Sequence, residues 1–245
     1  MEKVFLICPI CKNNKFKLGI DIFDDRYGEP NQYKLSSCLK CNHISTFPRL
    51  KEEELSNLYS KYYPRKDTDI SEIVRNSQKV KRKISAFKRW LQGVNNQGQY
   101  LTKPNDKILD IGCGDCQSLI EAKLLGATVY GVDPDVNIKN ISRRLSINVH
   151  IGSITEDIFP GVKFNLIILN QVLEHIPDPN KLIKILSKKL SSNGKIFISS
   201  PNVNSFYRKL FNKKWINWHI PYHLNHFNKE NLKKMFKSNN LKILS

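Results

Sequence analysis

Short apolar runs alternate with helical patterns through the second half of the chain. Residues 108–111 and 128–132 predict two buried strands, because each run is short and ends at turn residues or an acid. Between them, apolar side chains recur at helical spacing over residues 118–125, and Gly126 is typical of a helix end. This order predicts two parallel strands joined by a helix.

The same alternation continues to about residue 202. It predicts three further strands and one helix, at residues 148–153, 164–170, 196–202 and 180–190. The predicted fold class is therefore α/β, with a Rossmann-like, doubly wound and mostly parallel sheet. Residues 229–239 predict a last helix, after which only residues 241–245 remain for another strand.

The turn after the first of these strands has the composition of a nucleotide-binding turn. Gly112 and Gly114 let the backbone turn sharply and let a ligand approach closely. Asp133 ends the second strand, 23 positions after Asp110, near the spacing at which an acid accepts hydrogen bonds from ribose hydroxyls. The N-terminus of the next helix offers free N–H groups. The sequence predicts a nucleotide-type cofactor site at this turn.

Three motifs occur in order between residues 106 and 202. They are Asp110–Cys116 (DIGCGDC), Gln171–Pro179 (QVLEHIPDP), and the turn and strand of Ser192–Asn202. In these motifs the chain resembles the class I S-adenosylmethionine-dependent methyltransferases. The resemblance implies their fold, their activity and S-adenosylmethionine as cofactor. The residues that it implies for cofactor binding are Asp110, Gly112, Gly114, Asp133, Ser153, Ile154 and Asn170.

The chain departs from that family at several positions. Cys116 replaces the third glycine of the turn, Ser153 stands where an acid often contacts the adenine amine, and Asn165 replaces a usual aspartate. The family normally adds two more strands after the fifth, and residues 241–245 can supply only one. We therefore expect the C-terminal strands of the sheet to be incomplete.

Two CxxC pairs lie near the N-terminus, with 26 residues between them. Cys8, Cys11, Cys38 and Cys41 supply four thiolates, the set that holds a tetrahedral Zn²⁺ in a closed, structural site. Two disulfides are less consistent with a cytoplasmic chain, and a redox CxxC would explain only one pair. The pattern predicts a small zinc ribbon stabilised by its metal.

The predicted domains follow one another along the chain. Residues 1–47 form the zinc ribbon, residues 48–105 a helical linker or cap, and residues 106–245 the cofactor-binding core. In the linker, one helix starts near Lys51 and ends near Tyr63, and a second, one-sided basic helix spans about residues 70–92.

Aromatic and histidine residues crowd residues 204–227, which we expect to form a lid over the core. The spacing of Tyr222, His223 and Phe227 resembles the segment that carries the base histidine in zinc-containing sugar methyltransferases. That resemblance implies His223 as the catalytic base with Tyr222 beside it. His175, in the second motif, either joins them in catalysis or orders its own loop. For His223, packing of the lid is an equally weighted alternative.

Charge and hydropathy bound the function. The 245 residues carry a formal net charge of +18, which favours an anionic partner such as RNA or a phosphorylated substrate, or else reflects solvated lysine-rich faces. No apolar run approaches the ~20 residues that span a bilayer, and no signal peptide is recognisable, so we expect a cytoplasmic protein.

We therefore expect a methyltransferase enzyme that acts by direct displacement on a small-molecule, sugar or glycan acceptor. An RNA methyltransferase is the first alternative. A non-catalytic zinc-ribbon interaction protein is the second. The sequence does not determine the oligomeric state.

Overall fold

A computed structural model describes residues 7–63, 69–78 and 97–244. The strands in this part of the chain are β1 Phe16–Phe23, β2 Gln32–Cys38, β3 Ile44–Phe47, β4 Lys107–Ile111, β5 Thr128–Asp133, β6 Asn148–Ile151, β7 Phe164–Asn170, β8 Leu190–Ser199 and β9 Asn225–His226. The α-helices are α1 Glu52–Lys61, α2 Ile70–Ser77, α3 Gln117–Leu124, α4 Ile138–Arg144, α5 Pro179–Lys189, α6 Phe206–Phe211 and α7 Lys229–Lys237.

One sheet is parallel and has the strand order β6-β5-β4-β7-β8. Its central strands, β4 and β7, read as almost unbroken apolar runs because their side chains are buried on both faces. Leu119 and Ile120 of α3 and Ile138 of α4 belong to the apolar cluster on this sheet. The predicted doubly wound, Rossmann-like sheet is confirmed.

β8 differs from its predicted bounds. It starts at Leu190, the last residue of the predicted helix, and ends at Ser199, before the predicted end at Asn202. The early start accompanies a register shift, since Phe164 of β7 pairs with Leu190 while Leu166 pairs with Lys195. The extra residues of β8 are accommodated at this irregularity.

The second sheet is antiparallel and has the strand order β1-β2-β3-β9. Its edge strand β9 pairs Asn225 with Ser45 and His226 with Ile44, across about 180 positions of the chain. One side carries an apolar cluster that includes Tyr33, Leu35, Val203, Trp215, Trp218 and Ile220.

The chain divides into two compact units, each built on one of these sheets. The antiparallel unit comprises the described residues of 1–65, 173–183 and 200–245, and the parallel unit comprises those of 66–172 and 184–199. This grouping differs from three consecutive domains, because β9 comes from the C-terminal part of the chain and completes a sheet whose other strands are N-terminal.

The remaining elements follow the sequence pattern in part. The helix predicted from Lys51 corresponds to α1, and α2 starts at the predicted residue 70, while residues 79–92 of that prediction lie outside the described residues. Residues 241–244 form no strand, so the final strand that the tail could have supplied is missing from the described chain. Every helix in the described ranges is too short or too polar to cross a lipid bilayer.

Candidate functional site

The glycine turn after β4 is built by left-handed backbone. Gly112, Gly114 and Cys116 have φ values of 68°, 50° and 63°. A Cβ at Gly112 would lie 2.6 Å from Val172 Cγ2, whereas one at Gly114 would meet no atom within 4 Å. Gly112 is therefore required by packing, and Gly114 leaves the side of the turn open to a ligand. Cys116 tolerates the conformation that the family's third glycine would adopt, at some cost in strain.

Two buried carboxylates border this turn. Asp110, on β4, accepts a hydrogen bond from the Ser118 hydroxyl, and burial raises its pKa to about 7. Asp133, at the end of β5, accepts hydrogen bonds from the backbone N–H of Gly114 and of Asp135, both at 2.9 Å. Burial raises the pKa of Asp133. Since a carboxylate has about four lone-pair sites, Asp133 can still accept ribose hydroxyls.

The other predicted cofactor residues belong to the same unit. Asn170 ends β7, and its Oδ1 is buried without a hydrogen-bond partner among the described residues. Ile154 is buried, and Ser153 follows Gly152, whose N–H donates to the Asp133 carbonyl at 2.8 Å. An orphaned acceptor, an open glycine turn and an acid at the end of β5 fit a bound nucleoside-type cofactor.

The four N-terminal cysteines form a compact thiol cluster. Cys8 Sγ lies 3.5 Å from Cys41 Sγ, and Cys11 Sγ lies 3.5 Å from Cys38 Sγ. All four sulfur atoms lie within 4.8 Å of one another. Tetrahedral zinc with Zn–S bonds of about 2.3 Å places its sulfur atoms about 3.8 Å apart, so the cluster fits this metal.

The two CxxC turns repeat one backbone geometry. Lys12 N donates to the Cys8 carbonyl and Asn42 N to the Cys38 carbonyl, both at 2.9 Å, and Lys12 and Asn42 have φ values of 59° and 57°. Burial raises the pKa of Cys8 to about 11. At Cys38 burial acts in the same direction, but hydrogen bonds from the backbone of Cys41 and Lys40 prevail and lower its pKa to about 7.

The predicted catalytic residues meet in one cluster within the antiparallel unit. We call it the tyrosine–histidine cluster, and its members are Tyr27, Tyr59, Tyr63, Glu174, His175, His219, Tyr222 and His223. The rings of Tyr59 and Tyr63 each lie 5.2 Å from the ring of Tyr222. Burial raises the pKa of Tyr59, Tyr63 and Tyr222, so all three phenols are neutral at pH 7.

Backbone carbonyls fix the orientation of two histidines in this cluster. His223 Nδ1 lies 2.9 Å from the Asn217 carbonyl oxygen, and His175 Nδ1 lies 3.0 Å from the Tyr222 carbonyl oxygen. A carbonyl can only accept, so we assign the proton of each ring to Nδ1 and the lone pair to Nε2. His223 Nε2 lies 3.3 Å from His219 Nδ1 and 4.0 Å from Glu174 Oε1.

Burial sets the charge of the cluster. It lowers the pKa of His219 to about 3 and that of His223 well below its usual range, so both imidazoles are neutral at pH 7. It also raises the pKa of Glu174 to about 7. No described residue donates a well-formed hydrogen bond to the Glu174 carboxylate, although the backbone of Glu174 and then the Ser200 hydroxyl partly offset the effect of burial on its pKa. Each neutral imidazole keeps a lone pair that can accept a proton, and a carboxylate beside it would stabilise the resulting charge.

The sequence prediction missed part of this cluster. Glu174 lies in the second motif, and its neighbour His175 was selected instead. Tyr27 gave no signal, because nothing near it in the sequence indicates that its ring lies 5.5 Å from that of Tyr222. His226, in the predicted lid, has a ring 6.4 Å from that of His223 but makes its polar contact elsewhere: its Nε2 is 2.9 Å from Thr46 Oγ1, and its ring packs on Trp218.

The parallel sheet and its glycine turn define the class of protein. The sequence model of a methyltransferase-domain family matches residues 82–245, about two thirds of the chain. The chain belongs to this methyltransferase family and has the class I methyltransferase fold.

Curated relatives share part of the chain. A ubiquinone biosynthesis O-methyltransferase of Coxiella burnetii is 32% identical over 117 residues, which cover 43% of this chain and 48% of the relative. The protein of the same name from Bartonella bacilliformis is 29% identical over 153 residues, covering 56% of this chain and 60% of that protein. The chain spans about half of the length of the curated relatives that it matches.

Two solved structures are similar to the chain at low sequence identity. A chain from the Haloferax volcanii complex of the Trm112 methyltransferase activator with a methyltransferase has a TM-score of 0.50 and 11% identity, over 74% of this chain and 80% of that one. A methyltransferase from Archaeoglobus fulgidus has a TM-score of 0.44 and 22% identity, over 70% of this chain and 69% of that one.

Proposed function

We propose that this protein is an S-adenosylmethionine-dependent methyltransferase whose acceptor is a small molecule, a sugar or a glycan. The observation that carries the acceptor class is the tyrosine–histidine cluster. Its aromatic rings offer stacking faces, and its buried neutral imidazoles offer proton acceptors. The names of the curated relatives, which are O-methyltransferases of ubiquinone biosynthesis, agree with a small-molecule acceptor.

The parallel unit supplies the cofactor-binding residues. We assign the ribose hydroxyls to Asp133, the approach of the cofactor to the open side of Gly114, and a polar group of the cofactor to the free Oδ1 of Asn170. Ser153 and Ile154 would contact the adenine, and Asp110 supports the turn. When bound, S-adenosylmethionine supplies an electrophilic methyl group on a sulfonium.

The antiparallel unit supplies the residues that manage the acceptor proton. An acceptor hydroxyl or amine that receives the methyl group would lose a proton. His219 Nε2 would take this proton while His219 Nδ1 passed its own to His223 Nε2, 3.3 Å away. The Asn217 carbonyl and Glu174 stabilise the charge that develops on His223.

Tyr222 and His175 act beside this relay. The Tyr222 hydroxyl is buried without a hydrogen-bond partner among the described residues, so it is free to donate to the acceptor. His175 holds Tyr222 through its backbone carbonyl and lies 2.8 Å from the Tyr59 hydroxyl. His175 therefore positions both phenols.

Zn²⁺ held by Cys8, Cys11, Cys38 and Cys41 has a structural role in this proposal. Four thiolates leave no open coordination position, so the metal takes no part in methyl transfer.

The test is methyl transfer from radiolabelled S-adenosylmethionine into small-molecule, glycan and RNA fractions of a cell lysate. We expect label in the first two fractions. Asp133→Asn should weaken cofactor binding about 10- to 100-fold, the effect of losing one charged acceptor. His223→Gln should abolish the label while cofactor binding, measured by calorimetry, stays unchanged. His226→Gln removes an equally buried histidine outside the relay and should keep the label.

RNA methylation gives a different pattern. Label confined to the RNA fraction, together with binding that weakens steeply as salt is added, would overturn the proposed acceptor class. Unchanged label in His223→Gln would contradict the proposed proton relay but not the proposed acceptor class.

A further inference from the structure

An exposed apolar and basic surface covers residues 206–216, which we call the basic–aromatic patch. Phe206, Leu210, Phe211 and Ile216 have exposed fractions of 71%, 60%, 50% and 65%, and Tyr207 is 38% exposed. Lys209, Lys213 and Lys214 are exposed among them. Five large apolar side chains within eleven residues exceed the scattered exposure that a protein surface normally shows.

Buried anchors hold this segment in place. Trp215 and Trp218 are buried in the apolar cluster of the antiparallel unit, and Trp218 Nε1 donates to the Asn212 carbonyl at 2.8 Å. The Ser205 hydroxyl caps α6, and Arg208 Nε donates to the Val203 carbonyl at 2.7 Å. The two tryptophans thus point into the protein, and the other large apolar side chains of the segment point to the solvent.

The charge along this segment has one sign, since the sequence contains no Asp or Glu between Asp178 and Glu230. In space, Asp21 is an acidic neighbour: Lys34 and, more weakly, Lys213 lower its pKa. Exposed Phe, Tyr and Leu side chains flanked by lysines suit the boundary between acyl chains and anionic headgroups. A second copy of this chain is a poorer partner, because a symmetric contact would place lysines against lysines.

We propose that the basic–aromatic patch docks the protein on the surface of a membrane that contains anionic phospholipid. The apolar side chains enter the headgroup region, and Lys209, Lys213 and Lys214 lie against the phosphates. Eleven residues are too few to span a bilayer, so the contact is peripheral. Docking does not depend on methyl transfer, and it can be tested whether or not the proposed function holds.

The experiment is co-sedimentation of the full chain with vesicles of phosphatidylcholine alone or mixed with phosphatidylglycerol. We expect the bound fraction to be at least fivefold larger on the anionic vesicles. The double variant Leu210→Ser/Phe211→Ser keeps the net charge and should lose at least fivefold in binding. Lys213→Gln/Lys214→Gln should lose binding at 0.15 M salt and regain part of it at low salt.

Matched controls remove similar groups elsewhere. Leu18→Ser/Leu124→Ser removes two leucines that are 65% and 58% exposed, and Lys17→Gln/Lys103→Gln removes two exposed lysines. Both should bind vesicles like the unaltered chain. Thermal unfolding and tryptophan emission should match the unaltered chain in every variant used.

Three results would overturn the proposal. The first is absence of binding to anionic vesicles by the unaltered chain. The second is binding that Leu210→Ser/Phe211→Ser leaves unchanged, since the contact would then be charge alone. The third is a dimer in solution, seen by light scattering, that the same variant abolishes.

Discussion

The glycine turn after β4 needs one residue without a side chain and another with a carboxylate. Gly112 must have no side chain, because its backbone is left-handed and its Cα faces Val172. Asp133 holds the turn in place, because its carboxylate accepts a hydrogen bond from the Gly114 N–H, and in the proposed function the same group also accepts the ribose hydroxyls. Each role follows from atoms within a few ångströms.

Gly112→Ala should destabilise the protein by about 2–4 kcal/mol, the sum of backbone strain and a steric clash. Gly161 has nearly the same φ, 71° against 68°, but a Cβ there meets no atom within 4 Å. Gly161→Ala should therefore cost only about 1 kcal/mol, the strain alone. Urea unfolding measures both. An equal loss in free energy of unfolding in both variants would contradict this prediction, since the Val172 side chain would then move away from the added Cβ at no cost.

Glu174 should make stability depend on pH. Its pKa is raised to about 7 in the folded chain by burial, so the folded state holds its proton more tightly than the unfolded state between about pH 4.5 and 7. This contribution to stability is complete below about pH 4.5 and is lost as the pH rises through 7. The glutamine of Glu174→Gln cannot ionise, so this variant lacks that loss. The free energy of unfolding of Glu174→Gln minus that of the unaltered chain should therefore be roughly 3 kcal/mol larger at pH 8 than at pH 4.5.

Chemical unfolding of both proteins across this pH range measures the difference. A gap between them that stays constant from pH 4.5 to pH 8 would contradict the raised pKa of Glu174.

At the scale of elements, the N-terminal thiol cluster is formed by two turns of the same geometry, the second of which follows a strand of the antiparallel sheet. Each CxxC turn closes with the same hydrogen bond and a left-handed fourth residue after its first cysteine. The second turn follows β2 directly, so the thiol cluster fixes the end of that strand. Burial opposes ionisation of Cys8, and a bound cation would offset that cost.

Cys11→Ser should lower bound zinc from one equivalent to nearly none and should lower the midpoint of thermal unfolding. The reason is that three thiolates hold the metal more weakly than four, and the small ribbon depends on its metal. Elemental analysis of the purified chain measures the metal. Cys113→Ser alters a buried cysteine of the cofactor turn and should keep one equivalent. Zinc retained in Cys11→Ser would contradict the four-thiolate site.

At the scale of the whole molecule, the antiparallel unit is assembled from three separate stretches of the chain. Its sheet needs β9, and its apolar cluster combines Tyr33 and Leu35 of β2 with Trp215 and Trp218. The N-terminal ribbon is therefore part of a larger unit and cannot be removed as an independent appendage.

Deletion of residues 1–47 should expose Trp215 and Trp218, because β1, β2 and β3 cover their cluster. We expect tryptophan emission to shift to longer wavelength and the thermal unfolding midpoint to fall, compared with the full chain. Emission from the full chain in concentrated urea gives the reference for complete exposure. Unchanged emission after the deletion would mean that the C-terminal segment folds without its N-terminal partners.

The sequence by itself determined the features that are local. These features are the five strands of the parallel sheet with helices α3 and α5, the glycine turn with Asp110 and Asp133, and the spacing of the four cysteines. All depend on residues close together in the chain, whereas helix α4, Ile138–Arg144, was not predicted. Strand and helix periods and metal-ligand spacing report such short-range constraints directly.

Only the tertiary structure decided the long-range arrangement. It paired β9 with β3, brought Tyr27 and Tyr59 to His223 and Glu174, and turned Trp215 inward while leaving Phe211 exposed. Each of these contacts depends on the packing of segments far apart in the chain, which no local period encodes. The glycine turn after β4 could therefore be predicted from the sequence, and so could the candidates Tyr222, His223 and His175. Their neighbours Tyr27 and Glu174 could not.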